Sequence, residues 1–237
     1  MDQYQCSSFC SFYRGGAFVE GYISNILRQD MFEEIEFIFL DCNSPDNEAL
    51  HILPLTKKFK NIKYYRLDKD PGLYAGWNTC IRLCESNIVT NWNIDDRKPT
   101  WGISKLLSVF SQDPSIDIAW GVTHVSHIAN ETWEENNKEA IYAHKILSVE
   151  ELWKHNAAHC MPMWKKNIHS KYGAFDERCH IVSDAAMWLT AIELGAKFQI
   201  INTSIGLYYW NPNGRSTSNQ YNDGDWQGAL RTNLKNG

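Results

Sequence analysis

Short apolar runs alternate with longer segments of helical period along the first hundred residues. Gln5 to Phe12 predicts a first strand, weakened by its serines. Ala17 to Gln29 carries Phe18, Tyr22, Ile23, Ile26 and Leu27 at helical spacing. Ile35 to Leu40 is a continuous β-rich run, as expected of a strand buried on both faces. Asn47 to Phe59 predicts a helix despite Pro54, and Ile62 to Leu67 a third strand. Leu73 to Cys84 then reads as a helix and Ile88 to Trp92 as a fourth strand. Strands thus recur at intervals of roughly 25 residues, the rhythm of βαβ units around a parallel sheet. The fold class expected is α/β, a mostly parallel central sheet with helices on both faces.

The second half is less regular. Gly102 to Phe110 predicts a helix, Ile116 to Val125 a strand, and the polar stretch 126–148 a loop or exposed insertion. His159 to Trp164 is a short apolar stretch before Lys165 and Lys166. Ile181 to Leu194 has helical spacing and ends at Gly195. Phe198 to Ile201 and Ile205 to Trp210 read as two strands, and a polar tail follows Ser218. No repeat, low-complexity block or inter-domain linker interrupts the chain, so one domain is expected.

Composition narrows the class. Hydrophobic residues make up 43% of the 237 and charged residues 22%, enough for a sizeable core. The net charge of −5 argues against a nucleic-acid partner, which needs a basic face. No apolar run reaches the roughly 18 residues of a membrane span. The N-terminus lacks the basic and apolar regions of a signal peptide. A cytoplasmic protein is expected, with peripheral membrane attachment left open. The seven cysteines form no CxxC pair and read as buried, reduced thiols.

Candidate chemistry concentrates in Ile88 to Pro99, where a β-rich run delivers Asp95 and Asp96. Paired acids at a strand end can share a hard divalent cation, and that cation can neutralise a diphosphate. The same residues also suit an ordinary polar turn. Right-handed crossovers put all strand C-termini on one edge. Tyr13 and Asp41 each follow a strand too, so they should converge with the acids there.

Together these stretches resemble the family 2 glycosyltransferases of GT-A fold, from about Ser11 to about Ser218. FIFLDCNSPDN (37–47) is similar to the family's strand and turn that hold the base and ribose. PGLYAGWNTCI (71–81) is similar to its helix beside the nucleotide, and NWNIDDRKP (91–99) to its acidic metal motif. HIVSDAAMWLTAIELG (180–195) is similar to the helix that presents the catalytic carboxylate. YYWNPNGRSTS (208–218) more loosely resembles the loop that closes over the diphosphate.

The resemblance implies transfer of a sugar from a UDP-, GDP- or dTDP-linked donor to a hydroxyl on a glycan or other acceptor, with inversion. It implies Asp184 as the catalytic base. Ser11, Tyr13, Asp41, Asn43, Asn78, Asn93 and Asp95 would bind the nucleotide. Asp95 and Asp96 would hold Mn²⁺ or Mg²⁺. His159, Trp164, Asn211 and Arg215 would lie near acceptor or diphosphate, with Lys98 a helper. Residues 1–97 would form the nucleotide half, 98–218 the acceptor half, and 219–237 a tail.

Three positions depart from the family pattern. Asn93 stands where Asp is common, Trp77 where Arg is common, and Asn211 where many relatives have His. Trp77, Trp92, Trp164, Trp188 and Trp210 are candidate walls for sugar rings, although core packing is the ordinary fate of tryptophan. Two other readings stay open. One is a sugar-phosphate nucleotidyltransferase, of which Arg14-Gly15-Gly16 is an echo. The other is an inactive relative that binds sugar or protein, with 126–148 as an interface. A dehydrogenase is disfavoured because no GxGxxG follows the first strand.

Overall fold

A computed structural model describes residues 3–142, 156, 158, 161–214 and 217. The first half runs β1 (Cys6–Phe12), α1 (Val19–Ile26), β2 (Ile35–Asp41), α2 (Glu48–Lys58), β3 (Ile62–Arg66), α3 (Leu73–Leu83) and β4 (Ile88–Asn91). The second half adds α4 (Gly102–Gln112), β5 (Ile118–Ser126), β6 (Met163–Lys165), α5 (Ile168–Tyr172), α6 (Ser183–Glu193) and β7 (Phe198–Tyr209). The elements expected before residue 100 are all present, with ends displaced by a residue or a few.

Among the described residues the strands form one sheet in the order β3-β2-β1-β4-β6-β5-β7. The β1–β2, β2–β3, β1–β4 and β5–β7 pairs are parallel. Strand β6 runs antiparallel to both β4 and β5. All the other strands therefore point the same way, and the sheet is mostly parallel as expected.

Strand alternation divides the core into two. Cys6, Cys10 and Phe12 of β1 join Ile35, Phe37 and Phe39 of β2 beneath Tyr22, Ile26, Ile52 and Leu106 from α1, α2 and α4. Phe9, Ile38 and Leu40 face the other way, onto Tyr74 and Trp77 of α3 and Trp188 of α6. Helices therefore cover both faces. This explains why β2 reads as an unbroken apolar run, since all seven of its residues are buried.

One expectation for the second half needs correction, and one stretch that had no assigned element gains one. The stretch before Lys165 is a strand, and it enters the sheet backwards between β4 and β5. The two strands expected after residue 198 are one strand with a bulge. Gly121 pairs with Ile201 but Val122 pairs with Ser204, so the chain bows out between them. Gly121 permits this, because a Cβ there would lie 2.6 Å from the Thr203 carbonyl oxygen. In the polar insertion, Tyr142 donates its N–H to the Thr123 carbonyl at 2.9 Å.

Candidate active site

Parallel strands bring the ends of β1, β2 and β4 to one edge, and a cavity of about 630 Å³ opens there. Ser11, Tyr13, Asn93, Asp95, Asp184 and Asn211 line it, six of the positions singled out in the sequence. His159 and Arg215 lie outside the described residues.

Asp41 ends β2 opposite Phe12 of β1 and Arg66 of β3. Its carboxylate is fully buried and does not line the cavity. Oδ1 accepts the Ser44 N–H at 2.7 Å, and Oδ2 accepts the Tyr64 hydroxyl at 2.6 Å and the Arg66 guanidinium. Burial, reinforced by Asp41, pushes the Tyr64 phenol up to about 12. Asn43 is exposed in a left-handed turn, φ 61°, and accepts from Arg66 at 3.2 Å. Asn78 is buried and points elsewhere. Its amide donates to the Phe175 carbonyl at 2.9 Å and to Glu177 at 3.0 Å, tying α3 to the segment before α6.

The two adjacent acids divide their roles. Asp95 is half-buried and faces the cavity. Asp96 is fully buried behind it. Its Oδ1 accepts the Tyr209 N–H at 3.0 Å and its Oδ2 the Asn93 amide at 3.1 Å. Burial raises both carboxyls above the ordinary range, and the Asp95 charge raises Asp96 further. Arg97 braces the turn from below. It donates to the carbonyls of Ile94 at 3.0 Å and Asp96 at 2.7 Å, and its backbone pairs with Leu207. The turn is thereby fastened to the end of β7.

This geometry separates the two acids expected to share a metal. Asp96 has both oxygens engaged by protein donors, so one carboxylate, Asp95, is presented to the cavity. Among the described residues no group of three or more His, Cys, Asp and Glu could hold a metal. The donor set fits a hard ion held by Asp95 together with oxygens of a bound diphosphate, a mode suited to Mg²⁺-like coordination. Lys98 is not at the cavity either. Its side chain is buried, with Nζ 5.5 Å from the Trp92 ring centroid.

Asp184 enters from the first turn of α6 and lines the cavity. It is 6% exposed. Oδ1 accepts the Tyr74 hydroxyl and Oδ2 the Asn156 amide, each at 2.8 Å. Burial raises its pKa, and these two bonds oppose the rise by favouring the charged form. A carboxylate held this way is aimed and remains basic enough to take a proton.

The tryptophans sort clearly. Trp92, Trp164 and Trp188 are core residues. Trp164, expected near a substrate, instead packs 4.9 Å from Trp188 and donates its indole N–H to His169 at 2.9 Å. Trp77 touches the cavity. Trp210 is 41% exposed and leans on Tyr208 and Tyr142, two further wall residues, at ring distances of 6.2 and 6.5 Å. Tyr74, Tyr142, Asn156 and Tyr208 were missed in the sequence. Tyr74 and Tyr208 lie within stretches singled out above but were not named individually, and the Asp184 partners Tyr74 and Asn156 are 110 and 28 residues away along the chain.

Known proteins place this arrangement. A relative from Bacillus subtilis (strain 168), minor teichoic acid biosynthesis protein GgaB, is 23% identical over 215 residues. That match covers 90% of this chain and 24% of the relative. The structure of S. aureus TarS residues 1–349 with UDP-GlcNAc superposes with a TM-score of 0.73 at 12% identity. It covers 90% of this chain and 60% of that one. The mannosyltransferase PcManGT from Pyrobaculum calidifontis, solved with GDP-Man and Mn²⁺, superposes with a TM-score of 0.67 at 12% identity, over 89% of this chain and 58% of that one. The chain is thus shorter than each of these proteins, and at such identities the structural likeness establishes the α/β fold. The family model described as glycosyl transferase family 2 matches residues 9–173, and the chain belongs to that family.

Proposed function

We propose that this protein transfers a sugar from a nucleotide-diphosphate sugar to an acceptor hydroxyl, inverting the anomeric centre. One observation carries the reading: Asp95 and Asp184, brought by different elements, face a single cavity. Asp95 lies on the side of β1, β2 and β4, where the donor would sit. Asp184 lines the same cavity, held by Tyr74 of α3 and by Asn156, and the acceptor hydroxyl would be brought to it there. Relatives of this fold solved with UDP-GlcNAc and with GDP-Man support a nucleotide sugar as donor.

Asp184 is the residue to deprotonate the acceptor hydroxyl. The oxygen so freed attacks the anomeric carbon from the face opposite the diphosphate, and the nucleoside diphosphate departs. Tyr74 and Asn156 hold the base in place for this step. A divalent ion held by Asp95, when bound, would neutralise the charge developing on the leaving diphosphate. Tyr13 and Ser11 would line the nucleoside, with Asp41, Tyr64 and Arg66 behind them as a rigid support. Trp210, Tyr208 and Tyr142 offer aromatic faces to the acceptor's sugar ring. We place the protein in the cytoplasm as one domain with a donor half and an acceptor half. No described helix is long and apolar enough to cross a membrane.

The nucleotidyltransferase alternative is weakened by the turn after β1. Such enzymes need free backbone N–H groups there for phosphates. Those of Gly15 and Gly16 are taken by Glu48 and Asp46.

A thermal-shift screen of UDP-, GDP- and dTDP-sugars with Mn²⁺ or Mg²⁺ tests the donor. A true donor in excess raises the melting temperature by mass action. Product formed with inverted configuration by NMR is the expected outcome. Donor binding without transfer to any acceptor would favour an inactive relative, and retention would overturn the mechanism.

A further inference from the structure

The turn after β1 is held by the turn after β2 through three consecutive backbone amides. Arg14 N–H donates to Ser44 Oγ at 2.9 Å, Gly15 N–H to Glu48 Oε1 at 2.6 Å, and Gly16 N–H to Asp46 Oδ2 at 3.2 Å. Successive N–H groups of a turn that point to one side form the kind of nest that elsewhere cradles phosphate. Here the nest is filled from within. Glu48 is its centre. It is the first residue of α2, its carboxylate is fully buried, and it also accepts the Ser44 hydroxyl at 2.8 Å.

The turn so held bears directly on the cavity. Tyr13, Arg14 and Gly15 all line it. Arg14 stands in the left-handed region, φ 58°, a conformation that costs a non-glycine residue energy and needs outside support. Gly15 packs flat against the acidic turn. A Cβ there would lie 2.7 Å from Ile94 Cδ1, next to Asp95, and 3.5 Å from Glu48 Oε1. Ser44 meanwhile donates its N–H to Asp41. One buried carboxylate therefore ties the turn after β1, which lines the cavity, to the Asp41 turn behind it.

We propose that Glu48 is a positioning residue for nucleotide binding, acting through the backbone of Arg14 and Gly15 without touching the ligand. This rests on the donor reading given above. The side chain of α2 residue 48 is thus a determinant of donor affinity, and the acceptor side of the cavity is independent of it.

The test is calorimetric titration of the full chain with UDP and with GDP in the presence of Mn²⁺. Glu48→Ala removes both acceptor bonds and should raise Kd at least about tenfold, the loss of one charge-assisted hydrogen bond's worth of order. Glu48→Gln keeps an acceptor oxygen at the same place and should stay within about threefold of wild type. Ile52→Ala is the stability control. Ile52 is fully buried on the same helix, so the variant should melt lower and still bind normally. If E48A does not fold, Ser44→Ala takes its place, since it removes the acceptor for Arg14 and should weaken binding in the same direction. Normal affinity in E48A, an E48Q as weak as E48A, or an I52A as weak as E48A would each overturn the proposal. A wild-type chain that binds neither nucleotide fails differently: it removes the donor reading and this inference with it.

Discussion

Tyr74 and Asp184 stand 110 residues apart in the sequence, yet the phenol donates to the carboxylate at 2.8 Å in the cavity wall. The bond joins the helix beside the donor to the helix that carries the base. It also sets the protonation of that base. Burial raises the Asp184 pKa and the Tyr74 bond lowers it. Tyr74→Phe therefore raises it further. A general base must be deprotonated to act, so the acid limb of kcat/KM should move to higher pH in the variant. A limb that stays in place, or moves down, would show that Tyr74 does not tune this group.

Asp184→Asn keeps the shape and removes the proton acceptor. The kcat should fall roughly 10²- to 10⁴-fold, the usual contribution of a general base. Donor affinity should change little, because the donor contacts proposed are Ser11, Tyr13 and Asp95. Near-normal turnover in steady-state kinetics would assign the base elsewhere.

Asp95 and Asp96 should separate on mutation although they are neighbours. Asp95→Asn should leave the melting temperature nearly unchanged and weaken Mn²⁺-supported binding of a nucleoside diphosphate. Asp96→Ala strands the Tyr209 N–H and the Asn93 amide, and a buried donor without a partner costs roughly 1–3 kcal/mol. Urea unfolding and calorimetry on both variants read the difference. Equal effects on both quantities would return the acids to a shared role.

His169 should make the protein acid-sensitive. Burial lowers its pKa to about 4, and the ring accepts from Trp164 through Nε2 as a neutral imidazole. The unfolded chain takes up a proton near the ordinary value of about 6.5 and the native state does not. Stability is therefore full above about 6.5 and declines as pH falls through that value towards 4, by about 3 kcal/mol in all. His169→Gln should flatten this part of a stability-versus-pH curve measured in urea. An unchanged slope would place the titration on another group.

Trp210→Ala should raise the acceptor KM and leave donor binding intact, because the exposed indole sits with Tyr208 and Tyr142 at the β5–β7 end. Donor Kd and acceptor KM measured together check this. A change confined to donor Kd would move Trp210 to a lid over the diphosphate.

Much of the donor side was legible in the sequence because it is built from local signals. The run Ile35 to Leu40 reads as a strand buried on both faces, and Asp41 follows it directly. The acids after β4 read as a strand end for the same reason. What escaped depends on partners far along the chain. Asp96 turns inward because the Tyr209 amide, 113 residues later, meets it there. Trp164 looks like a wall residue until β6 carries it into the sheet, where Trp188 packs on it. The direction of β6 could not be read from three residues, since an apolar triplet is the same forwards and backwards. The bulge in β7 looks like a gap between two strands because its residues are polar.

The backward strand β6 also bears on how the chain assembles. Strands β1 to β4 join through short crossovers, so their contacts form between segments close in sequence. Strands β5 and β7 join that block through β6, a three-residue strand that must first be brought back from beyond residue 160, and through the Arg97–Leu207 backbone pair. Closing that long loop is entropically slow and its reward is small until all three strands meet. The donor half is therefore expected to gain protection from hydrogen exchange first in refolding, and the acceptor half to complete last. On a ribosome the first half could form while the base Asp184 was still unmade, so the two halves of the cavity would come together only after α6 and β7 had emerged.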